Sequence, residues 1–348
     1  MNMKPEWKRK YGLLREYIES NPEIVINTSE VSIPEAFRDR FYELFDEIRD
    51  AYVAPVYSSL PFEMEALRDN YIRAEKEATE ALGIEGVDLP VDLSSFLSDP
   101  KTGMQRWLYN RMFEMIQGKI TEEAFERMAG FDLYAGAEAM FKMGYGLWAF
   151  LTIVLLLEPD RVFAVALDQD NEPVPGDLKR IALGRQFHDT VKRIPEFVVH
   201  SKRLDRFVAL KTPLAREVSA YYVPFEIPKK TMRDNTGDTS SVLDARVVFL
   251  SLLPDPESIP VYIEMHTGKT TSPDLIVEFL TRQNISDSDA VSQVQNRAAL
   301  MKPRLGTSVV IIDPGNETNA AGPGGEIETF AAGLETSKLL PVIDRLVS

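Results

Sequence analysis

An uncharged apolar stretch, GYGLWAFLTIVLLL at Gly144–Leu157, constrains the fold of this chain more than any other feature. A helix that is apolar on every side must be buried on every side. Its fourteen residues are fewer than the roughly 20 that a helix needs to cross a bilayer. Charged residues lie shortly before it at Asp132, Glu138 and Lys142, and Pro159, which cannot continue a helix, follows it. The stretch therefore predicts the central helix of a protein core.

The hydrophobic periodicity changes at this stretch. Before it, apolar residues recur at helical spacing, as in Phe37, Phe41 and Leu44, whereas short strand-like segments predominate after it. The pattern predicts an α+β protein with a helical N-terminal part packed on a mixed, mainly antiparallel sheet with flanking helices. The expected domains are 1–158, which ends in the buried apolar helix, and 159–348.

Proline, glycine and periodicity also predict the individual elements. In the N-terminal part, Pro55 is expected to end a helix, and Gly130 is expected to separate a helix at 121–129 from a long one at 132–157. Further helices are expected at 177–193, 273–283, 287–301 and 326–346, and strands at 161–167, 196–200, 206–210, 219–225, 245–253, 261–266 and 308–313.

The composition excludes several kinds of chemistry. The chain has no cysteine, so disulfides, thiolate catalysis and cysteine-held zinc or iron–sulfur sites are ruled out. The N-terminus, MNMKPEWKRKYGLL, carries charges but lacks the apolar segment of a secretory signal. A cytoplasmic location is therefore the default expectation, and no membrane partner is expected.

A basic segment interrupts an acidic protein. The net charge is -15, but residues 179–233 carry 13 Lys and Arg against 5 Asp and Glu, a net charge of +8. Such asymmetry can mark a surface that binds anions, here through Lys202, Arg203, Arg206 and Lys211. The partner would then be a nucleic acid or an acidic protein. The alternative is that the basic segment packs against the acidic helical part and joins the two halves.

Histidine and carboxylate residues suggest a metal site. Glu264 and His266 are two residues apart on an expected strand, so their side chains would point to the same face and could ligate one ion. His188 or His200 could complete such a site. The alternative is that the three histidines are unrelated.

A second carboxylate extends this hypothesis. Asp244 begins one arm of an expected hairpin of 245–253 with 261–266, and Glu264 lies near the end of the other arm, so the two would be neighbours. Two carboxylates at adjacent strand ends can hold Mg²⁺ and an attacking water for phosphodiester cleavage. The order of elements resembles the restriction-endonuclease-type nuclease core, in which an Asp is followed by Glu-x-Lys. In this chain His266 occupies the lysine position, and Lys269 lies three residues beyond.

The sequence is compatible with two functions. The first is a soluble intracellular binding or assembly protein whose basic central segment contacts an anionic partner. The second is a metal-dependent nuclease or phosphodiesterase, with Mg²⁺ or Mn²⁺ held by Asp244, Glu264 and His266, and with Asp244, Glu264 and Lys269 in catalysis. The sequence leaves open whether the protein is an enzyme, and it does not indicate an oligomeric state.

Overall fold

The computed structural model of the protein describes residues 5–182, 192–211, 247–264, 267–281, 288–312 and 327–347. Helices and a mixed, mainly antiparallel sheet make up these residues, which confirms the predicted α+β class. The chain divides into two compact units, Met1–Glu65 with Val91–Phe141 and Ala66–Pro90 with Lys142–Ser348. The domain boundary at residue 158 stays a prediction.

The elements are numbered in chain order through the described residues. The helices are α1 (Glu6–Ser20), α2 (Glu35–Ser59), α3 (Met64–Leu82), α4 (Val91–Ser98), α5 (Pro100–Ile116), α6 (Glu122–Leu156), α7 (Ser288–Met301) and α8 (Leu340–Val347). The strands are β1 (Val25–Ile26), β2 (Val31–Ser32), β3 (Gly86–Asp88), β4 (Pro159–Leu167), β5 (Pro173–Gly176), β6 (Arg180–Ala182), β7 (Lys192–Arg193), β8 (Phe197–Ser201), β9 (Arg206–Lys211), β10 (Val247–Leu253), β11 (Ile263–Glu264), β12 (Leu275–Leu280), β13 (Thr307–Ile311) and β14 (Ile327–Ala331).

Aromatic side chains form the centre of the first unit. The rings of Trp7, Tyr52 and Phe125 come from α1, α2 and α6, and their centroids lie 5.1–5.5 Å apart. The Tyr52 hydroxyl donates a hydrogen bond of 2.8 Å to the Glu126 carbonyl. Aromatic pairs of this kind contribute about 0.5–1.5 kcal/mol each beyond the area that they bury. The helices of this unit are thus joined through ring contacts between residues far apart in the sequence.

An eight-stranded sheet organises the second unit. Its strand order is β14-β13-β12-β10-β9-β8-β4-β5. The pairs β12–β13 and β13–β14 are parallel, and the other pairs in this order are antiparallel. At one edge, β5 places Pro175 opposite Val165 and Pro173 opposite Leu167.

Helices cover both faces of this sheet. On one face, Tyr145 and Phe150 from the second half of α6 pack edge-on against Phe279 and Phe197 of the strands. On the other face, α7 contributes Met301 and Val294 to clusters with buried strand residues. The second unit is therefore layered as helix, sheet and helix.

The apolar stretch is buried, as the sequence predicts. Residues 144–154 are buried without exception, and α6 is one continuous helix of 35 residues rather than two helices. Gly130 lies inside it, where an added Cβ would sit 3.6 Å from the Tyr52 hydroxyl. By length and composition α6 could also cross a membrane, but 78% of its most apolar window is buried within the protein.

Several expected elements differ from the structure. The expected helix 273–283 is strand β12, and the start of the expected helix 326–346 is strand β14. A fully buried strand shows an unbroken apolar run without period-two alternation, so LIVEFL in β12 cannot be told from a buried helix by pattern alone. Pro55 does not end α2, because flanking residues such as Tyr52 and Val53 are buried and hold the helix together.

The region of the expected helix 177–193 also differs where it is described. Arg180–Ala182 forms β6, which pairs in parallel with β3, and Lys192–Arg193 forms β7. Residues 183–191, which include His188, and the expected strand 219–225 lie outside the described residues.

Candidate functional site

The hairpin on which the predicted metal site depends is not formed. Strand β10 pairs with β9 on one side and β12 on the other, so neither of its edges is available to β11. Strand β11 pairs with β7 instead, with Glu264 opposite Lys192. The expected pairing of 245–253 with 261–266 was therefore wrong, and with it the reason for placing Asp244 beside Glu264.

Glu264 belongs to a tight turn. Its backbone N–H donates to the Lys269 carbonyl at 2.9 Å, and its carbonyl accepts from Gly268 N–H at 2.8 Å. Its carboxylate oxygen Oε2 accepts a hydrogen bond of 2.6 Å from the Thr267 hydroxyl. Lys269 is exposed in the same turn. The structure thus brings Glu264 and Lys269 together through the backbone of one turn.

The remaining members of the predicted metal site are not described. Asp244 and His266 lie outside the described residues. Among the residues that the structure does describe, no group of three or more histidine and carboxylate side chains is arranged to hold a metal ion. The metal and catalytic assignments of Asp244, Glu264, His266 and Lys269 therefore stay predictions.

Three of the four predicted anion-binding residues meet at the turn between β8 and β9. The last strand pair joins Ser201 to Arg206, and Lys202 and Arg203 lie in the connecting turn. Asp205 has a φ of 48°, and the Ser201 hydroxyl accepts from Leu204 N–H at 3.2 Å, which fixes the turn. Lys202 and Arg206 are exposed.

Lys211 is at the opposite end of β9 and is buried. Its Nζ lies 3.3 Å from Oε1 of Glu196, and the residue is 4% exposed. Burial lowers the pKa of the Lys211 ammonium, although the Glu196 carboxylate opposes this shift. Lys211 therefore belongs to the interior of the second unit and not to the exposed turn.

The structure adds Arg161 to the basic residues of the turn. Strand β4 pairs with β8 so that Arg161 lies opposite His200 and Phe163 lies opposite Val198. The Arg161 guanidinium is 4.9 Å from the ring centroid of Phe207 on β9. We call Arg161, Lys202, Arg203 and Arg206 the turn cluster. Arg161 was not predicted from the sequence, because its place beside the turn depends on the pairing of β4 with β8.

A carboxylate lies among these cations. Oδ1 of Asp160 is 2.7 Å from Nδ1 of His200. This hydrogen bond is the main cause that lowers the pKa of the Asp160 carboxyl, and the charges of Lys202 and Arg161 lower it further. A second carboxylate, Asp344, accepts a hydrogen bond of 3.2 Å from Arg203. The positive charge of the turn cluster is therefore partly balanced by groups of the protein itself.

Two other carboxylates near the sheet are each bound by an arginine. Oδ1 of Asp274 lies 2.6 Å from Nε of Arg304, and its Oδ2 accepts from Leu252 N–H at 2.6 Å. Glu278 on β12 pairs with Arg297 of α7, and both side chains are 1% exposed. These carboxylates are engaged in structural ion pairs.

In comparisons with known proteins, the chain matches no protein-family model, no curated protein and no solved structure.

Proposed function

We propose that the protein is a non-catalytic binding protein whose turn cluster contacts an anionic partner. The observation that carries this proposal is that four cations, Arg161, Lys202, Arg203 and Arg206, lie at one end of three adjacent strands. The chain as a whole has a net charge of -15. An anionic partner would be repelled by most of such a protein and attracted to a local cationic surface.

Carboxylates near the strands already accept hydrogen bonds within the protein, which supports a binding role rather than a catalytic one. A carboxylate that acts as a base or metal ligand needs free lone pairs facing a substrate. Asp274 and Glu278 instead accept hydrogen bonds from arginines, and Glu264 accepts one from Thr267. Among the described acidic residues near the strands, these three thus already have partners inside the protein.

A polyanion tests this proposal directly. We expect the wild type to bind a fluorescent heparin oligosaccharide at low salt, and Lys202→Gln with Arg206→Gln to weaken this binding. The matched control is Arg73→Gln with Lys76→Gln, which removes the same charge from two exposed positions on α3. Equal weakening in both double variants would contradict the proposal, because it would mean that only the net charge matters.

A metal-dependent nuclease is the second candidate, favoured by the strand connections. Strands β10 and β12 are antiparallel, and β12 continues through α7 into the parallel strand β13. An antiparallel pair, a helix and a further strand support the resemblance to the restriction-endonuclease-type core, although the pair is β10 with β12 and not the expected hairpin of 245–253 with 261–266. The metal ligands of this candidate remain the predicted Asp244, Glu264 and His266.

Thermal unfolding with EDTA, Mg²⁺, Mn²⁺ or Zn²⁺ tests the nuclease candidate. A metal that binds only the folded state at 100 times its Kd adds about 2.7 kcal/mol of stability. We expect this rise in the wild type and its loss in Asp244→Asn if the candidate is correct. Glu264→Gln then tests the second predicted ligand in the same way. Unchanged unfolding with every metal would dismiss this candidate and leave the binding proposal standing.

A further inference from the structure

Two aromatic rings lie on the face of the sheet that carries Arg161 of the turn cluster. Phe163 of β4 and Phe207 of β9 flank β8, and their ring centroids are 6.2 Å apart. Both residues are half-buried, and they pack against a cluster that includes Val198 and Ala209. The His200 ring meets Phe207 at 4.9 Å. Aromatic and cationic groups are therefore interleaved on this surface.

This part of the sheet is more open than its centre. Residues 162–165 of β4 are half-buried, whereas the six residues of β12 are all buried. The Arg161 side chain is 55% exposed while its guanidinium lies over the Phe207 ring. A planar cation and an aromatic ring are thus presented together at the solvent-facing end of the strands.

We propose that this surface binds single-stranded nucleic acid. Its residues are Arg161, Phe163, His200, Lys202 and Phe207. The inference rests on the proposed function and names its partner. Unstacked bases pack on aromatic rings and on arginine planes, while lysine and arginine contact the phosphates. Phe163 and the Arg161 plane provide the stacking surfaces, and Lys202 provides a phosphate contact.

The surface suits a single strand better than other polyanions. The bases of a duplex are stacked on each other and cannot reach half-buried rings on a sheet. An acidic protein segment would use the cations but gains nothing specific from the aromatic rings. The combination of both kinds of side chain therefore favours a flexible strand with accessible bases.

Asp160 places a negative charge beside the cations of this surface. Its carboxylate bonds to His200, and the charges of Lys202 and Arg161 act on it. An incoming phosphate would have to compete with this carboxylate for the same cations. Asp160→Asn removes the competing charge and keeps the side-chain shape, so it should strengthen binding.

The experiment measures binding of fluorescent 12-nucleotide single strands, the matching duplex and a poly-glutamate peptide by anisotropy over a range of salt. We expect the single strand to bind tightest. Phe163→Leu, which keeps an apolar side chain, should weaken single-strand binding about 5- to 150-fold, the usual range for one lost base–aromatic stack. Phe131→Leu is the matched control, because Phe131 is 69% exposed on α6 and outside this surface. Thermal unfolding confirms that each variant is folded.

Two further variants separate the contributions. Asp160→Asn should tighten single-strand binding. Lys202→Gln should reduce the slope of log K against log salt by about 0.7, the value for one lost phosphate contact. Equal affinity for duplex or poly-glutamate, or equal effects of Phe163→Leu and Phe131→Leu, would overturn the inference. If heparin binding still depended on Lys202 and Arg206 in that case, the proposed function would survive. If it did not, both would fail.

Discussion

The Arg297 guanidinium donates from Nε to Oε1 of Glu278 at 3.1 Å and from Nη2 to Oε2 at 3.2 Å. The pair joins α7 to β12, and each side chain is 1% exposed. Removing one partner of a buried ion pair leaves a buried charge without compensation, which typically costs about 3–5 kcal/mol. We therefore expect Glu278→Ala to lower the free energy of unfolding by an amount in this range, measured by urea denaturation.

A double variant that removes both charges tests whether the uncompensated charge causes this loss of stability. Glu278→Leu with Arg297→Met replaces both charges by apolar groups of similar size, which is often neutral or stabilising. We expect this variant to unfold near the wild-type urea concentration. A double variant as unstable as Glu278→Ala would show that packing at this position matters and the buried charge does not.

Two helical glycines in the first unit should respond to alanine in opposite directions. A Cβ on Gly103 of α5 would lie 2.9 Å from the Cα of Phe96 in α4, whereas a Cβ on Gly12 of α1 meets no atom within 4 Å. Gly103→Ala should cost about 1–3 kcal/mol, because backbone atoms must move apart. Gly12→Ala should add about 0.5–1 kcal/mol, because alanine loses less entropy in a helix. Urea denaturation of both variants measures these changes, and a gain for Gly103→Ala would contradict the close contact of α4 and α5.

Asp160 should make stability depend on pH at the acidic end. Its folded-state pKa is lowered from the ordinary value of 3.8, chiefly by the hydrogen bond with His200. The folded state therefore binds fewer protons than the unfolded state in this range, and the contribution is fully present above pH 3.8. It is lost as the pH falls through the folded-state pKa.

Comparing the wild type with Asp160→Asn tests this dependence. We expect the difference in unfolding free energy between the two proteins to be constant at higher pH and to shrink below the ordinary pKa of an aspartate. Urea denaturation between about pH 3 and pH 6 measures it. His200→Gln should remove most of the dependence, since it removes the main cause of the shift. A difference that grows on acidification would mean that Asp160 is not stabilised in its charged form.

The sequence predicted the parts of the fold that local pattern encodes. Residues 144–154 of the run at Gly144–Leu157 are buried, because an uncharged helix of that composition has no solvent-compatible face. It did not predict that α6 continues through Gly130, because that glycine is accommodated beside Tyr52, a residue distant in the chain. Nor could it separate β12 from a helix, since burial on both faces removes the alternation that identifies a strand.

The candidate surface was predictable only where its residues are neighbours in sequence. Lys202, Arg203 and Arg206 meet because one short turn contains them. Lys211 is five residues beyond Arg206, and at 3.2–3.4 Å per residue a strand carries it about 16 Å away. Arg161 joins the cluster through the pairing of β4 with β8, which spans about forty residues and leaves no local signal.

The prolines of β5 have a consequence for self-association. The Val165 N–H donates to the Glu196 carbonyl, so the backbone polar groups of Val165 point towards β8. The backbone groups of its partner Pro175 therefore point away from β4, towards the edge of the sheet. Pro173 has the same orientation two residues earlier, and neither proline carries an N–H. A strand that approached this edge from solvent would find no donors at these two positions. The composition of β5 thus protects this border of the sheet against edge-to-edge aggregation.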